Sequence, residues 1–208
     1  MERSSKRSLG QNFLVDANVA AKISDAVQLS PEESVLEIGP GNGALTGPLR
    51  QRARRVYALE KDRFLARELK RRWPEIGVIN GDALHFDWGR LEGRVDRVAG
   101  NLPYNVASPI MWELARHGQG LRRLVFMVQK EVAQRVASSP GTREYGGLSV
   151  WMQSFLRARH GFDVSRNVFQ PRPNVTSAVL ILEPKASGER PADPEALSRL
   201  IKLCFQKR

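Results

Sequence analysis

The sequence holds a single cysteine, Cys204, in 208 residues. With no second thiol, no disulfide can close within the chain and no cysteine-based zinc site can form, which is consistent with a reducing, cytoplasmic setting. Long apolar runs are missing as well. No stretch approaches the roughly eighteen uninterrupted apolar residues of a membrane-spanning helix. The beginning, Met1-Glu-Arg-Ser-Ser-Lys-Arg-Ser8, is charged with no apolar segment behind it, so neither export nor membrane insertion is expected. Acidic residues are scarce relative to basic ones: 22 against 33, a net charge of +11. That imbalance is foreign to a typical small-molecule enzyme and points to a polyanionic partner. The basic residues recur at Arg3, Lys6, Arg7, Arg50 to Arg55, Arg67 to Arg72, Arg122, Arg123, Arg157, Arg159, Arg166 and Arg172. This spread suits a charged face better than a disordered arm, with base composition and solubility as the bland alternative.

What is present is enough for a folded core. Hydrophobic residues make up 41% and charged residues 26%, so the chain is globular, and its length fits one domain with a small annex. Val19, Ile23 and Val27 recur four apart and predict an amphipathic helix over 16–29. Ser34-Val-Leu-Glu-Ile38 reads as a buried strand that ends in a glycine turn, Gly39-Pro-Gly-Asn-Gly43, and a new helix. Val56–Glu60 and Gly77–Asn80 predict further strands, with a helix over 63–73 between them. Val95–Ala99 and Leu124–Val128 continue the alternation, and a helix follows over 130–137. Such order predicts a doubly wound α/β sheet. Phe155–Val164 and Val175–Leu182 lack a helix between them and predict an antiparallel pair. A linker rich in proline and small polar residues, 183–194, then leads to a helix over 195–206 that either docks on the main sheet or begins a further domain.

In an open parallel sheet the ligand lies at the carboxyl ends of the strands, so Gly39, Glu60, Asp82 and Asn101 are expected to converge there. Glycines in a strand-to-helix turn let backbone approach a ligand closely. An acid at the end of the next strand, Glu60, can hold ribose hydroxyls. The spacing Gly-x-Gly-x-Gly is not that of the nicotinamide dinucleotide binders. Asn101-Leu102-Pro103-Tyr104 presents an amide, a proline turn and an aromatic ring together, groups that suit a flat base carrying an amino group. An exocyclic amine is a poor nucleophile because its lone pair is delocalised into the ring. Accepting its hydrogens on Asn101 Oδ1 and a backbone carbonyl would favour a pyramidal, more nucleophilic nitrogen. Tyr104 could then stack on a base taken out of its helix. A turn with a core tyrosine is the alternative.

On these residues, together with Ser8–Leu14, Glu37–Thr46, Glu60-Lys-Asp62, Gly81-Asp-Ala83, Asn101–Pro109, Gln129-Lys-Glu131, Tyr145–Ser149 and Phe169–Ala178, the sequence resembles the small-subunit ribosomal RNA adenine-N6,N6-dimethyltransferases over nearly its whole length. The resemblance implies a class I Rossmann-like methyltransferase with a mainly parallel seven-stranded sheet and antiparallel terminal strands. It also implies S-adenosylmethionine as methyl donor and no metal. Asn12 and Leu14 would close over the donor, Gly39 and Gly41 would lie near its methionine part, and Glu60, followed by Lys61, would hold its ribose. Asp82, with Ala83, would hold its adenine, and Asn101 borders both ligands. Asn101, Leu102, Pro103 and Tyr104 match the family's target-base motif, and Phe169 matches an aromatic that helps sandwich the adenine. Direct transfer of an activated methyl needs alignment more than a base of unusual pKa, so no catalytic histidine is expected of His85, His117 or His160.

The implied substrate is two adjacent adenosines in a hairpin loop near the 3′ end of small-subunit rRNA, within an immature 30S subunit, acted on by a monomer. The implied organisation is a catalytic domain over 1–183, a linker over 184–194, and over 195–208 the first helix of a helical domain that relatives carry further. Three other readings stay open at this stage: a non-catalytic RNA-binding assembly factor, the large-subunit dimethylase branch associated with macrolide resistance, and a nicotinamide-dependent dehydrogenase.

Overall fold

The computed structural model describes residues 12–118 and 120–205. In chain order it contains β1 (Phe13–Leu14), α1 (Ala17–Val27), β2 (Ser34–Ile38), α2 (Thr46–Arg50), β3 (Arg55–Glu60), α3 (Arg63–Arg72), β4 (Gly77–Asn80), β5 (Arg97–Asn101), α4 (Ala107–His117), β6 (Arg123–Gln129), α5 (Lys130–Ala137), α6 (Gly147–Phe155), β7 (Leu156–Val164), β8 (Phe169–Gln170), β9 (Ser177–Pro184) and α7 (Pro194–Phe205). Seven strands form one sheet in the order β4-β3-β2-β5-β6-β9-β7, and β1 pairs with β8 in a separate antiparallel ribbon. Strands β2 to β6 are parallel, while β9 is antiparallel to both β6 and β7. The expected architecture is therefore present. Among the described residues no helix is long and apolar enough to cross a membrane.

Strand side chains alternate between the two faces, as the pleat requires. Leu124, Phe126 and Val128 of β6 and Ala178, Leu180 and Leu182 of β9 enter a core shared with α4, α5 and α6. Val125, Met127, Val179 and Ile181 enter the opposite core with α1 and the β1–β8 ribbon. Both faces are covered, which is why the central strands read as nearly continuous apolar runs.

Helix α1 starts where Asp16 accepts a bond from Val19 N at 2.9 Å and stops where Gln28 turns left-handed, φ 55°. Its last carbonyls are taken by arginines from the sheet: Arg97 donates to Val27 O and Arg123 to Ala26 O, both at 3.1 Å. Arg97 also grips Glu33 at 2.6 and 3.0 Å, joined by Arg122 at 3.1 Å. The Arg97 bonds hold the Glu33 carboxyl below its ordinary range despite its burial. This cluster pins the amino ends of the central strands β2, β5 and β6, opposite the candidate site.

The fifth strand begins two residues later than its β-forming residues suggest. Asp96 is occupied in bracing Ser34, whose N–H it accepts on Oδ2 at 2.8 Å, and the ladder starts at Arg97. Gly100 lets it run on to Asn101, since a Cβ there would sit 2.5 Å from Ile38 O. Helices α4 and α6 were not located by the sequence pattern. The segment after β9 is docked: Lys185 N donates to Phe155 O at 2.9 Å, and Arg190 caps α4 through Ala115 O at 2.7 Å and Arg116 O at 3.0 Å. Helix α7 then packs on α6 through Ile201 and Phe205, both close to Gly147.

Candidate active site

A cleft of about 350 Å³ opens at the carboxyl ends of β2, β3, β4 and β5. It is bordered by Asn12, Leu14, Gly39, Gly41, Glu60, Lys61, Asp82, Ala83 and Asn101 to Tyr104, so every candidate residue but Phe169 lies in one place.

The first half of the cleft is the glycine turn and the two acids beyond it. Gly39, Gly41 and Gly43 all have positive φ, at 66°, 56° and 82°. A Cβ on Gly41 would lie 2.9 Å from the Phe13 ring, and one on Gly43 would lie 2.5 Å from Trp73. The turn therefore needs glycine for both its backbone and its neighbours. Glu60, 3% exposed, accepts Gly41 N–H at 3.0 Å on one oxygen and Asp62 N–H at 2.8 Å on the other. Burial pushes its carboxyl up, and those backbone donors pull it back. Each oxygen keeps lone-pair capacity toward the cleft. Asp82 pairs with Lys61 at 2.8 Å and accepts Leu84 N–H at 3.0 Å, which together hold it below the usual carboxylate range.

Beneath the turn lies Glu37, an acid the sequence reading quoted without giving it a role. It is 1% exposed, borders the cleft and accepts from Thr46 Oγ1 at 2.5 Å. Burial pushes it up to about 8, with the Thr46 bond working against burial and nearby Glu60 adding to it. The acid is in plain view before the glycines, in a strand already read as buried; its bond to Thr46, nine residues on, is what the pattern does not announce.

The second half is the Asn101–Tyr104 turn. Asn101 Nδ2 donates to Asn12 O at 2.9 Å. That bond fixes the amide so that the other end, Oδ1, remains an acceptor. Leu102 is buried and its N–H bonds Met127 O at 3.1 Å. Pro103 O receives Val106 N–H at 3.1 Å and Ala107 N–H at 3.0 Å, so the turn runs directly into α4. Tyr104 is half-buried, and its hydroxyl bonds Ser177 Oγ at 2.6 Å. Burial raises the Tyr104 phenol above its ordinary value, keeping it neutral.

Phe169 departs from the expectation. It pairs with Leu14 in the β1–β8 ribbon, is 4% exposed and belongs to the apolar core beside Leu14 and Val164, so it does not line the cleft. The cleft wall nearest that ribbon is formed by Phe13 and Leu14. Of the Ser8–Leu14 block, residues 8–11 lie outside the described residues. His85, His117 and His160 are absent from the cleft lining.

A strand-end cleft combining a glycine turn, two acids and a fixed amide beside a tyrosine invites comparison with known proteins. Residues 2–208 match the family model described as ribosomal RNA adenine dimethylase. This chain belongs to that family. As a ribosomal RNA adenine dimethylase it is a methyltransferase acting on rRNA, with the family's α/β fold. A ribosomal RNA small subunit methyltransferase A from Maridesulfovibrio salexigens is 50% identical over 205 residues, which cover 98% of this chain and 78% of that one. Its counterpart in Aromatoleum aromaticum is 42% identical, covering 100% and 79%. Among solved structures, a dimethyladenosine transferase from Plasmodium falciparum superposes with a TM-score of 0.84 at 28% identity, covering 94% of this chain and 71% of that one. The 23S rRNA methyltransferase ErmE superposes with a TM-score of 0.76 at 29% identity, covering 94% and 79%. In this dimethylase, Phe13 and Glu37, which line the cleft, and Ser177, which bonds Tyr104, are residues that sequence reasoning left without a role. All three fall inside the blocks that carry the resemblance, so proximity to a motif was the available signal.

Proposed function

We propose that this protein transfers methyl groups from S-adenosylmethionine to N6 of two adjacent adenosines in a hairpin loop near the 3′ end of small-subunit rRNA, working as a cytoplasmic monomer on an immature 30S subunit. The observation that carries the reading is the Asn101 amide, held by Asn12 O so that Oδ1 is left as an acceptor in the same cleft as the glycine turn. The small-subunit relatives of 40% identity and more favour that branch over the large-subunit one.

The residues present fit the donor. The turn at Gly39 and Gly41 admits close backbone approach, Glu60 offers carboxylate oxygens to hydroxyl donors, and Asp82 with Ala83 offers an acceptor beside an apolar wall to a base. Lys61 steadies Asp82 through their ion pair, and Asn12 and Leu14 border the cleft from the N-terminal side. The donor, when bound, supplies an already activated sulfonium methyl.

The chain's own part is alignment. Asn101 Oδ1 accepts one hydrogen of the adenine amine, concentrating the nitrogen lone pair toward the methyl. Leu102 and Pro103 set the turn that carries Tyr104, whose ring stacks on the extruded base and offsets lost stacking by about 1–3 kcal/mol. Phe169 supports this wall from behind, through Leu14, in its buried position. A donor held by these residues would give up its methyl to the amine nitrogen and leave as a neutral thioether, and the proton the nitrogen must then lose would pass to solvent. Holding the two reactants in near-attack geometry is the main source of rate. The basic surface gathers rRNA phosphates around the splayed loop, as RNA readers of single-stranded bases do.

The test is methyl incorporation from labelled S-adenosylmethionine into undermethylated small subunits, with large subunits as the competing substrate and donor binding followed by calorimetry. N6,N6-dimethyladenosine in the small-subunit rRNA alone is expected. Labelling of the large subunit would move the protein to the other branch, and donor binding without any transfer would leave only a donor-binding RNA factor.

A further inference from the structure

We infer that Ser177 is a positioning residue for methyl transfer: its hydroxyl tethers the Tyr104 phenol and so fixes the ring against which the target adenine stacks. The inference rests on the proposed role of Asn101–Tyr104 and goes beyond it, because it assigns the orientation of the ring to a residue 73 positions away.

Tyr104 sits in a short turn between β5 and α4, where no strand ladder holds it. Its backbone surroundings are set by Pro103 O, which bonds Val106 and Ala107. Those backbone bonds do not act on the two side-chain torsions of Tyr104. The hydroxyl bond to Ser177 Oγ, 2.6 Å long with either oxygen able to donate, supplies the missing restraint.

The other end of the tether is well built for the task. Ser177 is fully buried at the first residue of β9, and it is in register with Gln129 of β6 on one side and Val164 of β7 on the other. Lys130 N donates to Thr176 O at 3.0 Å, which fixes the residue before it. Strand alternation places Ser177 with Val179 and Ile181 on the sheet face toward α1. Asn101 shares that face with Ala99. The amide and the tether thus rise from one side of one sheet, so the distance between the amide acceptor and the aromatic wall is set by the sheet. A hydroxyl buried for its own sake could bond any nearby carbonyl; this one instead bonds the aromatic side chain of the target-base turn.

The experiment uses the full chain, undermethylated small subunits and labelled S-adenosylmethionine. Ser177→Ala removes one oxygen and opens almost no cavity. It is expected to lower kcat roughly five- to tenfold, the scale of one lost hydrogen bond, with KM for the donor unchanged within about twofold. Ser177→Thr, which keeps the hydroxyl, is expected to restore most of the rate. In a Tyr104→Phe background, Ser177→Ala is expected to cost nothing more, because the tether is already gone. A hairpin carrying 2-aminopurine at the target position reads the ring without turnover: Tyr104→Phe keeps the ring but frees it, and the fluorescence should rise as stacking loosens. A Ser177→Ala enzyme equal to wild type, a loss undiminished in the Tyr104→Phe background, or unchanged 2-aminopurine fluorescence each overturns the inference. A wild-type chain that transfers no methyl overturns the proposed function itself, and this role falls with it.

Discussion

The proposed donor half of the cleft is tied by bonds between residues near each other in the chain, and the proposed target-base half by bonds between residues 73 and 89 positions apart. Glu60 reaches Gly41, 19 residues away, and Asp62, two away; Asp82 reaches Leu84, two away. Asn101 instead depends on Asn12, 89 residues away, and Tyr104 on Ser177, 73 away. The first half is assembled by consecutive strand–turn–helix units, each of which closes locally. The second half is correct only when the N-terminal ribbon and β9 are both in place. Donor binding should therefore tolerate damage that stops transfer, and that asymmetry can be attacked one residue at a time.

The largest expected effect is at Asn101. Replacing it with alanine removes the acceptor for the amine and frees Asn12 O, while the glycine turn, Glu60 and Asp82 keep their bonds. Loss of a preorganised polar group at a reacting centre costs about 10²- to 10³-fold in kcat. Methyl incorporation should fall by that order, and calorimetric donor affinity should change by about threefold or less. Equal loss of both would show that the two halves are one unit.

The same asymmetry governs what could be read from the sequence. The order of strands and helices from β2 to β6, the glycine turn, Glu60 and Asp82 are written in local patterns, because a βα unit encodes its own turn and capping. Helix α6 was legible but hidden by its boundary: Leu148, Trp151, Met152 and Phe155 recur at the helical spacing i, i+3, i+4, i+7, but Phe155 was read as the start of the strand that follows. Its start is marked by Gly146 N donating to Ser149 Oγ and Val150 N donating to Gly146 O, both at 3.0 Å. The partners of Asn101 and Tyr104 were illegible for a non-local reason, since no spacing announces that residues 12 and 177 meet that turn. Phe169 was legible as an aromatic of a matching block but not as a buried one, because the apolar cluster it joins with Leu14 and Val164 is assembled from distant parts of the chain.

Gly41 is where the two halves touch, and Gly41→Ala should hurt both. Its φ of 56° disfavours any side chain, and the added Cβ would press on Phe13, the residue after Asn12. Donor affinity is expected to fall about tenfold, a free-energy loss of about 1–2 kcal/mol, and kcat should fall with it as Asn12 O withdraws from Asn101. Gly47→Ala, which has open space around its Cβ, serves as the control and should leave both unchanged. A Gly41→Ala enzyme with weakened donor binding and normal kcat would separate the halves again.

Glu37 offers a pH test of the floor under the donor half. Its carboxyl titrates at about 8 in the fold against 4.5 as the ordinary value, so the neutral form is the one the fold favours. Its contribution to stability is fully present below pH of about 4.5 and is lost as pH rises through about 8. Glu37→Gln removes that titration. The variant should therefore lose less stability than wild type between pH 6 and pH 9, by a few degrees in Tm at about 2–4 °C per kcal/mol for a chain of this size. Parallel curves for the two proteins over that range would place the Glu37 proton elsewhere.

The smallest effect belongs to Lys61, and it sharpens the comparison because the residue stands at the rim. Its ion pair with Asp82 is 2.8 Å long, but Lys61 is 57% exposed, so the pair is worth at most about 1 kcal/mol. Lys61→Met leaves Asp82 with the Leu84 N–H and lets its carboxyl rise toward the ordinary 3.8, still ionised at neutral pH. Donor affinity at pH 7 should change by about threefold or less. The difference should grow as the solution is acidified, since a carboxyl held low contributes only above its ordinary range and that contribution is lost as pH falls through the depressed value. Asp82→Asn, which weakens the acceptor itself, should cost more than Lys61→Met at every pH. If Lys61→Met proved the more damaging of the two, the lysine rather than the aspartate would be the group meeting the donor, and the local ties that distinguish this half of the cleft would serve a different contact.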